Sequence, residues 1–369
     1  MRAPKRLEPA GLRRLLVRVP NWVGDALLAT PALHALRRAF PQADINVLAK
    51  PWVAPLFAAS PDCDRTIPYE RPGRHAGLSG FRLLCRELRA ECFDAALLFQ
   101  NAFEAAAIAR LSGIKVRAGY ATDGRGLLLT HAVSVNGARG LHHADYYLHL
   151  VESLINGLGF DANVERNVER NVERRLRLTL PGDAARAAQA RLAALGLTGR
   201  PFIDRPFVGL APGAAFGTAK RWPAAHFARV ADELAKKLGA AVLIFGSRGE
   251  QDVAREVAAA MRQPAIDLAG RTPLLEAAAA IARASLFLTN DSGLMHLASA
   301  LNVPLVAVFG PTDWRTTSPL GPHSRLVRRD TPCAPCLKRH CPTDQRCMTA
   351  VTPEQVLREA EALLAEVGA

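Results

Sequence analysis

Leu286-Phe-Leu-Thr-Asn-Asp-Ser-Gly-Leu-Met-His296 changes character midway. Leu286–Thr289 is an apolar run of the kind a buried strand shows. Asn290-Asp-Ser-Gly293 breaks it, and Leu294–Leu301 resumes with apolar residues at helical spacing. A short polar turn thus joins a buried strand to a helix. In open α/β sheets such turns lie at the carboxyl edge, where ligands bind. The first-turn N–H groups of the helix point into that crevice. Helical side chains lean toward the N-terminus, so Asp291, Ser292, Gly293 and His296 could face one ligand. The other reading is that Asp291 or Ser292 caps the helix and His296 is a packed core residue.

The same strand–turn–helix pattern extends to either side. Strands are expected at Phe207–Ala211, Ala240–Phe245 and Pro304–Phe309, and helices at Ala224–Leu238, Glu250–Met261 and Pro273–Ala284. Three further polar turns follow strands: Pro212-Gly-Ala-Ala-Phe-Gly-Thr-Ala-Lys-Arg-Trp-Pro223, Gly246-Ser-Arg-Gly-Glu250 and Gly310-Pro-Thr-Asp313. Glycines such as Gly213 let the backbone approach a diphosphate, and Lys220 adds a point charge. No turn ends in Gly-Lys-Ser/Thr and none reads Gly-x-Gly-x-x-Gly, which argues against a P-loop or a dinucleotide site.

The first half repeats the theme. Arg14–Pro20 reads as a strand, Asn21-Trp-Val-Gly-Asp25 as a loop and Ala26–Phe40 as a helix. Strands at Asp44–Ala49, Phe93–Phe99 and Val116–Tyr120 alternate with helices at Val53–Ala59, Phe81–Glu91, Asn101–Leu111 and His143–Leu158. Alternation of this kind gives a parallel sheet covered on both faces. Asp25 opens a helix directly after a strand. It could act as a general base on a hydroxyl within hydrogen-bond reach, or it could simply favour the helix dipole.

The expected organisation is an N-terminal domain over 1–180, a linker region over 181–206 and a C-terminal domain over 207–350. A last helix over 351–369 is expected to pack back on the first domain. Within 163–174, Asn-Val-Glu-Arg occurs three times in succession, a low-complexity stretch with little to pack. Gly182–Leu195 reads as a helix inside the linker region.

Charge and composition narrow the partners. The chain of 369 residues has a net charge of +13, which points to nucleic acid, an anionic membrane surface or a phosphorylated substrate. Aromatic residues make up only 6%, too few for base-stacking platforms, so nucleic acid is the weakest of the three. No run of 18 apolar residues suggests a membrane span, and no secretory signal is legible at the N-terminus. With seven cysteines and no such signal, a reducing cytosol is expected.

Taken together, Asn21-Trp-Val-Gly-Asp25, the Pro212–Pro223 stretch, Phe245-Gly-Ser247, Thr289–His296 and Phe309-Gly-Pro-Thr312 resemble the ADP-heptose:lipopolysaccharide heptosyltransferases. Within that family the chain is most similar to the heptosyltransferase II branch. The resemblance covers about 14–320 in the right order. It implies an α/β GT-B fold, two Rossmann-like domains facing across a cleft, and an inverting transfer that requires no metal. By resemblance, Asp25 is the base that activates the acceptor heptose hydroxyl, and Lys220 neutralises the departing ADP phosphates. Gly213, Asp291, Ser292, Gly293 and His296 would hold the donor, with Glu250 near the ribose and Thr312 near phosphate. The implied acceptor is a phosphorylated heptosyl-Kdo2-lipid A at the cytoplasmic face of the inner membrane, to which a cationic protein would be drawn. Arg71 and Arg74 could meet its phosphates. The alternatives are heptosyltransferase I or III with another core acceptor, and a nucleotide-sugar epimerase on a similar fold.

Cys333, Cys336, Cys341 and Cys347 are spaced C-x2-C-x4-C-x5-C and could surround a structural zinc ion. Reduced free thiols, an iron–sulfur cluster or a redox disulfide are the other readings. No catalytic role follows from them.

Overall fold

The computed structural model describes residues 12–157, 174–197 and 206–368. They form two compact units, Met1–Thr179 and Leu180–Ala369.

In the first unit the order is β1 (Arg14–Arg18), α1 (Val23–Leu28), α2 (Thr30–Ala39), β2 (Asp44–Ala49), β3 (Arg65–Pro68) and α3 (Gly77–Ala90). Then come β4 (Ala95–Leu98), α4 (Phe103–Leu111), β5 (Val116–Tyr120), β6 (His131–Val133) and α5 (His143–Gly157). The strands form one parallel sheet in the order β3-β2-β1-β4-β5-β6. Leu16 of β1 sits level with Asn46 on one side and Ala96 on the other. The helix expected over Ala26–Phe40 is two helices. The break falls at Ala29, and Pro31 takes the second position of α2, where its missing N–H costs nothing. The repeat at 163–174 lies outside the described residues except for Arg174, which pairs with Asp145 at 2.7 Å.

The second unit contains α6 (Gly182–Ala194), β7 (Phe207–Ala211), α7 (Ala224–Leu238), β8 (Ala241–Ile244), α8 (Gln251–Ala260), β9 (Ala265–Asp267) and α9 (Leu274–Ile281). It continues with β10 (Leu286–Asn290), α10 (Gly293–Ala300), β11 (Leu305–Phe309), α11 (Trp314–Thr317), β12 (Ser324–Arg328), α12 (Arg346–Thr349) and α13 (Pro353–Val367). Its parallel sheet runs β12-β11-β10-β7-β8-β9. Counted within the unit, this is the same 3-2-1-4-5-6 order as in the first. The strands β7, β10 and β11 are buried throughout, which is why they read as unbroken apolar runs.

Two expectations about boundaries are corrected. Helix α6 is not linker: it packs on α9, with Ala188 and Leu192 buried and Arg191 paired to Glu276. The final helix α13 belongs to the second unit. Val356, Ala360, Leu363 and Leu364 form one helical stripe in the second unit's core, against α7, β11 and β12. Its start is fixed by a reciprocal cap between Thr352 and Gln355 with Pro353 at the first position.

The order of each sheet reverses between its first and fourth strands, between β1 and β4 and between β7 and β10. At such a point the connections leave in opposite directions and open a crevice beyond the strand ends. Both candidate clusters lie there.

Candidate active site

In the second unit the crevice is ringed by the three loops after β7, β10 and β11. Asp291 follows β10, and its Oδ2 accepts from Lys220 Nζ at 2.7 Å and from Thr312 Oγ1 at 2.6 Å. The ion pair is largely withdrawn from water: Lys220 keeps 13% of its side-chain exposure and Asp291 keeps 6%. Side chains from the other two loops thus converge on one carboxylate oxygen. Neither Asp291 nor Ser292 caps α10: no side-chain cap bond is made, and the Ser292 hydroxyl instead faces Thr289 Oγ1 at 3.2 Å. The first turn of α10 therefore starts uncapped, beside a buried ammonium. His296 is buried within α10.

Asn290 was not singled out from sequence, yet it ties two loops together. Its Oδ1 accepts from the Trp222 N–H at 3.0 Å, and its Nδ2 donates to Pro212 O at 2.7 Å. The Trp222 indole in turn donates to Val351 O at 2.9 Å. Glu250 closes the other side. Its Oε2 accepts from the Ser247 N–H and hydroxyl at 2.8 and 2.7 Å, a cap for the turn that follows. A Cβ at Gly213 would lie 2.2 Å from Glu250 Oε1, so any larger residue would have to displace that side chain. Gly213 and Glu250, far apart in sequence, are therefore neighbours in the fold.

In the first unit Asp25 stands in the first turn of α1, which has no side-chain cap. Its Oδ1 lies 3.4 Å from His143 Nδ1 at the start of α5, and its side chain is 32% exposed. A carboxylate that is reachable from solvent and not spent on a cap can take a proton. His143 is a neighbour that only the tertiary fold reveals.

Beside it sits a cationic cluster. Arg18, at the end of β1, is buried. It donates to Val19 O and to Asn21 Oδ1, each at 2.6 Å. Burial lowers its pKa to about 10, so it stays charged. Lys50, after β2, is also buried, with Nζ 3.8 Å above the Tyr69 ring and 2.8 Å from Arg71 O. Burial, and then repulsion from Arg18, push its pKa down to about 8 against the pull of Glu104. Glu104 accepts from the Tyr69 hydroxyl and pairs with Arg71 at 2.7 Å. One carboxylate thus faces three cations. Arg71 belongs to this cluster, whereas Arg74 pairs with Glu87 on α3. The Trp52 indole donates to Asn21 O at 2.8 Å and links the cluster to the Asp25 loop.

The expected zinc set is not assembled. Among the described residues no three His, Cys, Asp or Glu side chains gather as metal ligands would, and all seven cysteines are free thiols. Cys347, within α12, is buried while Cys333 is exposed. The thiols are still near enough to act on one another: burial, and then Cys333, Cys336 and Cys341, push the Cys347 pKa up to about 11.

Two doubly wound parallel sheets of this order make the architecture of a GT-B glycosyltransferase. Heptosyltransferase II of Escherichia coli has it too. That structure superposes with a TM-score of 0.78 at 30% identity, covering 96% of this chain and 100% of its own. A glycosyl transferase family 9 structure from Veillonella parvula gives a TM-score of 0.84 at 26% identity over 96% of this chain and 98% of its own. Lipopolysaccharide heptosyltransferase 2 of Salmonella typhimurium is 32% identical over 360 residues, 96% of this chain and 99% of that one. The family model "Glycosyltransferase family 9 (heptosyltransferase)" matches residues 81–346. The chain belongs to glycosyltransferase family 9, the heptosyltransferases.

Proposed function

We propose that this chain moves L-glycero-D-manno-heptose from ADP-heptose to the first heptose of the lipopolysaccharide inner core, with inversion at the anomeric carbon. The observation that carries this reading is the convergence of Lys220 and Thr312 on Asp291 beside the uncapped start of α10. When the sugar leaves, negative charge grows on the ADP diphosphate. A fixed ammonium and helix N–H groups stabilise that charge without reorganising. In the proposal Lys220 turns from Asp291 toward the diphosphate, and Asp291 keeps its other oxygen for a donor hydroxyl. Gly213, Ser292, Gly293 and His296 complete the donor site, with Glu250 toward the ribose.

Asp25 is the proposed base. The acceptor hydroxyl attacks the anomeric carbon, the bond to the diphosphate oxygen breaks, and the hydroxyl proton passes to the Asp25 carboxylate. The Arg18, Lys50 and Arg71 cluster suits the phosphates or acid groups of a core acceptor. No cofactor has a role in these steps. A structural zinc on the four cysteines is no part of the proposal.

The net charge of +13 fits work at the cytoplasmic face of an anionic membrane, and no helix among the described residues is long and apolar enough to cross one. Sedimentation with phosphatidylglycerol vesicles, released by raised salt, is the expected sign of that contact. The transfer itself is tested by incubating the protein with ADP-heptose and core acceptors truncated at successive sugars. Mass spectrometry should show one added heptose only on the acceptor that ends in a single heptose. Addition to the Kdo-terminated acceptor would mean heptosyltransferase I activity instead.

A further inference from the structure

The segment bearing the last four cysteines makes contacts that the site described so far does not use. Gln345 Nε2 lies 3.0, 3.1 and 2.8 Å from the carbonyl oxygens of Thr218, Ala219 and Arg221. Three acceptors around one atom identify it as the amide nitrogen, since an oxygen there would be repelled by all three. Those carbonyls flank Lys220 on both sides. The same segment grips the loop elsewhere. The Ala219 N–H donates to Arg339 O at 3.0 Å, and Thr218 Oγ1 is 3.0 Å from His340 Nδ1. Gly217 fits so closely that a Cβ would lie 2.2 Å from Arg339 O. A few residues along, the Leu337 N–H donates to Pro311 O at 2.8 Å, next to Thr312. One segment therefore holds both loops whose side chains meet at Asp291.

The backbone of Gln345 is left-handed, with φ 53° and ψ 31°. Glycine or asparagine adopts that conformation more readily than glutamine. Backbone preference does not account for glutamine here, whereas the three carbonyls do.

We propose that Gln345 is a positioning residue for the diphosphate site. Its carboxamide fixes the main chain on either side of Lys220 and so sets where the ammonium stands, with Leu337–Met348 as the brace. This rests on the donor-site reading above.

The test is a double-mutant cycle read by calorimetric ADP binding to the full chain. Gln345→Glu keeps the size but, ionised, offers only acceptors to three carbonyls. Gln345→Gly relieves the backbone and removes the donor, and it serves if the first variant does not fold. Either should weaken ADP binding about tenfold in the parent. In a Lys220→Ala background the same change should shift ADP affinity by less than about twofold, because its effect acts through Lys220. Parent-like ADP affinity in both Gln345 variants would overturn the proposal. So would losses that simply multiply in the double variant, as general damage would produce. If Lys220→Ala alone binds ADP as the parent does, the donor-site reading falls and takes the proposal with it.

Discussion

Asp291 accepts two hydrogen bonds on one oxygen while almost withdrawn from water, and its neighbour Asn290 anchors the loop that carries Lys220. Asn290 is fully buried and satisfies the Trp222 N–H and the Pro212 carbonyl at once. Asn290→Ala leaves both without partners. It should cost about 1–3 kcal/mol for each group left unpaired, read as a lower midpoint in urea unfolding. An unchanged midpoint would mean that the two loops are held by something else. Lys50 gives a pH-dependent expectation. Its pKa is lowered to about 8, so it is an ammonium below that pH and loses its charge as pH rises through it. An anionic acceptor should therefore bind more weakly above about pH 8, at a somewhat higher pH once the bound anion itself favours the charged form. The KM for acceptor should rise between pH 7 and 9.5 in the parent and stay flat over that step in Lys50→Met. A rise of the same size in Lys50→Met would assign the titration to another group.

At the scale of elements, the central strands and the helices behind them were legible because burial on both faces leaves unbroken apolar runs such as Leu286-Phe-Leu and Leu305-Val-Ala-Val-Phe309. The edge strands β3, β6, β9 and β12 were not. They are three to five residues long and only partly buried, so neither length nor pattern marks them out. The Lys220, Asp291 and Thr312 loops were legible as polar turns after strands. Asn290, His143, Lys50 and Gln345 were not, since each acts through a partner far away in the chain. The zinc expectation rests on spacing alone, and no metal-ligand group is assembled among the described residues. Spacing gives the number of thiols but not how they are placed: Cys347 is buried while Cys333 is exposed. The same limit misplaced α13, whose apolar stripe is plain in sequence while the surface it covers is not. Leu363→Ala should destabilise the second unit by about 2–5 kcal/mol, seen as faster hydrogen exchange in β11, β12 and α7. Unchanged exchange there would contradict the packing described.

At the scale of the whole molecule, the chain uses one topology twice, and the proposed function gives each copy a different task. Both sheets run in 3-2-1-4-5-6 order, so both place their polar loops at the same reversal of strand order. The first copy carries a solvent-reachable carboxylate and a cluster of cations suited to an acceptor. The second carries the lysine-centred cradle suited to a nucleotide diphosphate. A glycosyl transfer needs both, and it needs them to be separable: loss of the base should stop the chemistry without loosening the donor. The most direct measurement is therefore heptose transfer from ADP-heptose by Asp25→Asn, made alongside its ADP-heptose affinity by calorimetry. The account predicts a turnover at least about 100-fold below the parent, with donor affinity within about twofold of the parent. Turnover near the parent's, or donor affinity lost along with it, would contradict the account.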